Sequence, residues 1–227
     1  MESFETQQTA AAIPVAGRIT LRSRLCMPAA ANGIVLFAHG GGNSEHSPRN
    51  QRVAEYLHDV GLATLMVDLL PETREAGQSF DATIRNDVAL QAERLRSATR
   101  WVRQQPELAM LPVGYFGAND SAVVALVAAS TEGVDIGAVV TRGGRPVLDS
   151  STISKLHSAT MLIVGGNDGS LAALNLEVWA RLRCEKSIEI IPGASNRFEE
   201  PGALDNVAAL TARWFSERLN KDAHIAA

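Results

Sequence analysis

Residues 112–130 read PVGYFGANDSAVVALVAAS, and the order of residue types in this stretch decides the fold. Val113–Phe116 is a short apolar run of the kind buried on both faces of a sheet. Gly117-Ala118-Asn119-Asp120-Ser121 follows, all small or turn-forming, and an apolar helix then runs to about Ser130. Strand, sharp turn and helix together are the setting in which a nucleophilic serine is often presented, in the pattern Gly-x-Ser-x-Gly. Gly117 and Ser121 stand at minus two and plus two, where such a strained turn accepts little bulk. The central position, however, is Asn119.

Working outward, further buried strands are expected at 34–38 (IVLFA), 62–68 (LATLMVD), 137–141 (GAVVT), 160–165 (TMLIVG) and 187–191 (SIEII). Helices are expected between them. One opens at Ser47-Pro48, with serine as cap and proline in the first turn, places Val53, Leu57 and Val60 on one stripe, and stops at Gly61. A long one covers 81–104 with Val88, Ala92, Leu95 and Val102 inward. Others cover about 171–182 and 202–219, the last with Leu204, Val207, Thr211 and Trp214 inward. Ahead of them, 13–26 reads as an antiparallel pair around Gly17. Strands alternating with helices imply an α/β fold: a mostly parallel sheet with helices on both faces, whose ligands sit at the carboxyl ends of the strands.

The chain has 227 residues, 46% of them hydrophobic, and a net charge of -4. One domain over about 12–220 accounts for this, between a flexible N-terminus (1–11) and a tail (221–227). The charge gives no reason to expect nucleic acid or an anionic membrane as partner. No apolar run approaches the ~20 residues that span a bilayer, and MESFETQQTA lacks the basic and apolar regions of a signal peptide. A cytoplasmic protein is the expectation. Cys26 and Cys184 match no metal or redox spacing and are expected to be buried, reduced bystanders.

The loops at the carboxyl ends carry the candidate chemistry. His39-Gly40-Gly41-Gly42 follows the 34–38 strand, and glycines there let backbone N–H groups face a developing oxyanion. GGNDGS follows the 160–165 strand and places Asp168 where a triad acid belongs. PGASNRFEEPG follows the last strand and places Asn196 where a triad histidine belongs.

On IVLFAHGGGNSEHSPRN, LATLMVDLL, LPVGYFGA, VVTRGGRP, LIVGGND, RLRCEK and IPGASNRFEEPG, the chain resembles the dienelactone-hydrolase-like members of the α/β-hydrolase superfamily. The resemblance runs from Ile13 to Leu219. It implies an α/β-hydrolase fold without a large lid, with nucleophile, acid and base positions at Asn119, Asp168 and Asn196. Members would read Gly-Ala-Ser-x-Gly at 117–121 and Ala-Thr-His at 194–196, so both proton-handling positions carry amides here. An amide has no comparable proton to lose and none to shuttle near neutral pH. A catalytically degenerate member is therefore expected.

Other readings remain open. Asp120 becomes the nucleophile if the turn is read one residue later; otherwise it is a helix-terminal carboxylate. His46 contacts substrate or braces its loop. Ala118, with Gly40, Gly41 and Gly42, lines the oxyanion or ligand site. Arg142 and Arg145 flank two glycines and could hold an anionic group. A metal site built from Asn119, Asp120, Asp168 and Asn196 suits a hard cation poorly, so neither metal nor cofactor is expected. Besides a pseudo-hydrolase that binds a small ligand, the chain could be an active hydrolase of small esters or lactones working through Asp120 or His46, or a protein-interaction module. Homo-oligomerisation is left open.

Overall fold

The computed structural model describes residues 7–16, 19–40, 47–70, 86–131, 133 and 135–219. Two strands lead the chain, β1 (Gln7–Val15) and β2 (Ile19–Met27). Strands and helices then alternate: β3 (Gly33–His39), α1 (Pro48–Asp59), β4 (Leu62–Asp68), α2 (Val88–Gln104), β5 (Val113–Ala118), α3 (Ser121–Ala129), β6 (Ala138–Arg142), α4 (Ser150–Lys155), β7 (Ala159–Gly165), α5 (Gly169–Arg181), β8 (Lys186–Ile191) and α6 (Ala203–Arg218). The eight strands among the described residues join one sheet in the order β1-β2-β4-β3-β5-β6-β7-β8. β2 is antiparallel to both neighbours and the remaining pairs are parallel. This is the α/β-hydrolase order. The chain leaves β3 toward β4 on one side and crosses to β5 on the other, so a crevice opens between the loops after β3 and β5.

The central strands read as unbroken apolar runs because both their faces are covered. On one face Leu36, Leu65, Tyr115, Val139 and Leu162 pack under α2, α3 and α5. On the other, Val35, Phe37, Phe116, Val140 and Ile163 pack under α1 and α6. Tyr115 and Phe116, adjacent on β5, go to opposite faces as strand alternation requires. The Tyr115 hydroxyl finds its partner in Thr99 Oγ1 at 2.6 Å, which makes its burial tolerable. Phe215 of α6 lies directly on Gly114 of β5, where any Cβ would sit 2.5 Å from a ring carbon.

Some expectations are corrected. The helix expected from 81 starts at Val88, because Asp87 caps it: its Oδ1 accepts the Leu90 N–H at 2.9 Å. Residues 81–85 lie outside the described residues. Part of the N-terminal stretch expected to be flexible is strand: β1 reaches back to Gln7, held by pairing with Met27 at the end of a long β2. Val60 is not on the buried stripe but follows α1 and is 40% exposed. Cys26 is buried, whereas Cys184 is only half-buried. Among the described residues no helix is long and apolar enough to cross a membrane.

Two outcomes follow from this packing. Phe215→Ala should lower stability by about 3–5 kcal/mol in urea unfolding, with an unchanged denaturant slope, since the ring is fully buried and its loss leaves a cavity above Gly114. His58, half-buried on α1 with Nε2 2.9 Å from Thr64 Oγ1, has its pKa pushed below the ordinary 6.5 by burial. The folded state therefore resists protonating it. Its contribution is complete above pH 6.5 and is lost as pH falls from there through the lowered folded value. His58→Gln should flatten the stability profile below pH 6.5 and leave that above it with the same slope.

Candidate functional site

β5 ends in a left-handed turn. Asn119 has φ +52°, and it is one of two non-glycine residues with positive φ among those described. Asparagine tolerates this region better than most L residues. The turn is pinned from both sides: the Asn119 N–H donates to the Arg142 carbonyl at 3.0 Å, and the Asn119 carbonyl accepts from the Ala122 N–H at 3.1 Å. Gly117 has to be glycine here, because a Cβ would lie 2.4 Å from the Ser121 carbonyl oxygen. Asn119 and Asp120 are exposed, and Asp120 sits at the N-cap position of α3 without a capping hydrogen bond from its side chain. Ala118 is half-buried beside Arg142 on the neighbouring strand.

The loop after β3 is tied to this turn. Gly40 N–H donates to the buried Ser121 Oγ at 3.1 Å. The residue at plus two thus uses its hydroxyl to hold the start of the glycine run against α3. Gly41, Gly42 and His46 lie outside the described residues.

After β6 the chain turns at Gly143, φ +60°, against the loop that follows β8: a Cβ on Gly143 would meet the Asn196 carbonyl at 2.4 Å. Arg142 and Arg145, expected to act together, part company here. Arg145 is exposed, while Arg142 is 3% exposed and lies 5.8 Å over the Phe116 ring. Burial, with the nearby Arg49 charge, pushes the Arg142 pKa down to about 10.

After β7, Asp168 is the N-cap of α5. Its Oδ1 accepts from the Leu171 N–H at 3.0 Å and the Ser170 hydroxyl at 2.9 Å. These bonds, with the Arg145 charge, hold its pKa below the usual carboxylate value. Asn167 binds the loop after β8 through its N–H to Ala194 O at 2.9 Å and its Nδ2 to Gly193 O at 2.7 Å. In that loop Asn196 is half-buried, Ser195 N–H donates to Glu200 Oε1 at 2.9 Å, and the buried Phe198 takes φ +55°.

The loops after β5, β6, β7 and β8 therefore meet along the carboxyl edge, with Asn119 and Asn196 each held against backbone at the Arg142–Gly143 corner. No hydrogen bond joins the side chains of Asn119, Asp168 and Asn196 among the described residues. Nor does any group of three or more His, Cys, Asp or Glu among them stand close enough to hold a metal ion. Sequence reasoning missed the structural task of Ser121, the left-handed Phe198 and the buried first turn of α1, where Asn50 is 3% exposed. The last was within reach: a polar Arg-Asn pair immediately after a Ser-Pro cap places one of the two on the inner face of the helix.

No family model matches the chain. Two proteins of Mycobacterium tuberculosis strains that carry the provisional name phosphoribosyl transferase are 44% identical over 217 residues, which is 95% of this chain and 46% of theirs; the chain spans about half the length of these curated relatives. Among solved structures, the esterase Est1E from Butyrivibrio proteoclasticus superposes with a TM-score of 0.75 at 13% identity over 92% of this chain and 98% of its own. XC6422 from Xanthomonas campestris, described as an α/β serine hydrolase without a lid, gives 0.74 at 18% identity over 96% and 97%. These two share the fold. The crystal structure of a dienelactone hydrolase from Anabaena variabilis is similar at another level: TM-score 0.88 and 44% identity, over 95% of this chain and 99% of that one. With that likeness spanning nearly all of both chains, and the strand order and sharp turn in place, the chain belongs to the dienelactone-hydrolase-like family of the α/β-hydrolase fold.

Proposed function

We propose that this chain is a catalytically degenerate hydrolase that keeps its pocket and binds a small molecule there. The observation that carries the reading is Asn119. It occupies the left-handed turn at which this fold presents its nucleophile, yet offers no nucleophile. Two further features support it. Asn196, in the loop where a base belongs, cannot shuttle protons near neutral pH. Asp168 spends one carboxylate oxygen capping α5 rather than orienting an imidazole. Phosphoribosyl transfer is not carried over from the Mycobacterium relatives, because half of their length has no counterpart in this chain.

Backbone strain supplies a reason for asparagine at 119. A nucleophile at φ +52° keeps its strain because function needs it; without that need, a residue at ease in the left-handed region is favoured. Asn119→Ala should therefore cost about 1 kcal/mol in chemical unfolding, while Asn119→Gly should stay within about 0.5 kcal/mol of the wild type.

Activity is checked with activated aryl esters. The wild type should turn them over no faster than Asn119→Ala. Turnover that persists in Asn119→Ala and vanishes in Asp120→Asn would replace this reading with a working hydrolase whose nucleophile is Asp120. A gain-of-function arm probes the scaffold. Asn119→Ser combined with Asn196→His, with Ser121 kept because it holds Gly40, should give a weak but measurable esterase, and either change alone close to none.

A further inference from the structure

One charge at the carboxyl edge has no role in the reading above. Arg142 ends β6 and points to the α1/α6 face, where Phe116 lies beneath it. It is 3% exposed, and its Nη1 is buried without a hydrogen-bond partner. No ion pair reaches it among the described residues. An isolated buried cation is among the least favourable groups a fold can hold, and folds normally pair it.

A second guanidinium stands close enough for its charge to act on Arg142. Arg49, in the first turn of α1, flanks the same 196–199 loop that packs on Gly143: it pairs with Glu199, while Phe198 Cε2 would lie 3.3 Å from a Gly143 Cβ. Glu199 is 53% exposed, so the pair is a surface one, weak and exchangeable for another anion. Asn50, next on the same turn, buries its side-chain oxygen without a partner. Rotating that amide presents its NH2 instead. The turn opens a twelve-residue helix whose dipole favours negative charge; Pro48 has no N–H and the Asn50 N–H is spent on Ser47 Oγ, which leaves the Arg49 N–H to face a ligand.

We propose that Arg142, Arg49 and the first turn of α1 form a binding site for a phosphate group, carried as a monoester on a small ligand or present as the free ion. Two guanidinium groups arriving from different elements suit a tetrahedral group with acceptor oxygens in several directions; a planar carboxylate is satisfied by a single guanidinium fork. The site does not depend on Asn119 being inert, since a working hydrolase with this edge would hold the same arginines.

The test is thermal unfolding with inorganic phosphate, phenyl phosphate or acetate at up to 10 mM concentration (roughly the range for a modest binding site), with ionic strength fixed by chloride. Wild type should show a saturable rise in Tm with phosphate and with phenyl phosphate, and none with acetate. A larger rise with phenyl phosphate identifies a monoester ligand; equal rises identify the free ion; both support the site. Arg142→Met should lose the response and, without phosphate, melt above the wild type, because the unpaired charge is gone. An arginine that served packing alone would melt lower when replaced. Arg49→Gln should weaken phosphate binding by roughly tenfold. A wild type without a saturable response overturns the proposal, as does an Arg142→Met protein that responds like the wild type. Acetate matching phosphate overturns the assignment of phosphate. Should Arg142→Met fail to fold, unchanged phosphate affinity in Arg49→Gln overturns it. The ester assays read none of these quantities, so the two readings fail separately.

Discussion

The left-handed turn at Asn119 is the constraint on which the rest of the edge depends. β5 has to stop, reverse direction within two residues and start α3 close enough to the sheet to pack on it. That closeness leaves no room for a side chain at Gly117, and it forces φ positive at Asn119. Each neighbouring loop then takes its position from this turn. Gly40 hangs on the Ser121 hydroxyl, the end of β6 is fixed by the Asn119 N–H, and the loop after β8 is fixed in turn by Gly143. A displacement of the turn would propagate to four strand ends.

Arg142 is placed by the same chain of contacts. Its carbonyl holds the turn, so its backbone cannot move, and strand alternation then sends its side chain into the α1/α6 layer with Phe116 and Val140. The fold thus decides where the guanidinium goes. It does not decide that the residue should be arginine. An apolar residue of similar volume would satisfy the layer at less cost, which is why the charge points to something outside the packing.

The centre of the sheet was legible in the sequence because its strands there are covered on both faces and read as uninterrupted apolar runs, with glycine and polar residues marking the ends. Boundaries set by single polar groups were less visible. Asp87 caps α2 so that it starts at Val88, the first residue of its apolar stripe, rather than at the expected 81, since periodicity reports a face and not a cap. At the edge, the order 119, 168, 196 was readable from which strand each residue follows, and the structure brings those loops together. What could not be read is how each side chain is spent. Asp168 Oδ1 goes to the first turn of α5 and Ser121 Oγ goes to Gly40, both through local hydrogen bonds that leave no pattern in residue spacing. The same holds for Arg142 against Arg145. They stand three residues apart in one motif, yet the last strand residue is turned inward and the loop residue outward.

The geometry of the turn is also a poor witness to chemistry. Every contact that maintains it is made by backbone or by a residue other than 119: the missing Cβ of Gly117, the Arg142 carbonyl, the Ala122 N–H. The side chain at 119 is exposed and contributes nothing to holding the turn, so exchanging it leaves the frame intact. A serine there would carry the strain of a left-handed backbone with nothing to offset it but catalysis, and an asparagine carries less. A scaffold of this kind can therefore lose its nucleophile without losing shape or stability, and likeness of fold to active hydrolases, however close, measures the frame rather than the reaction. The side chains that do report on function are those that the frame would be better without, and at this edge the buried Arg142, whose Nη1 has no partner among the described residues, is a charged group of that kind.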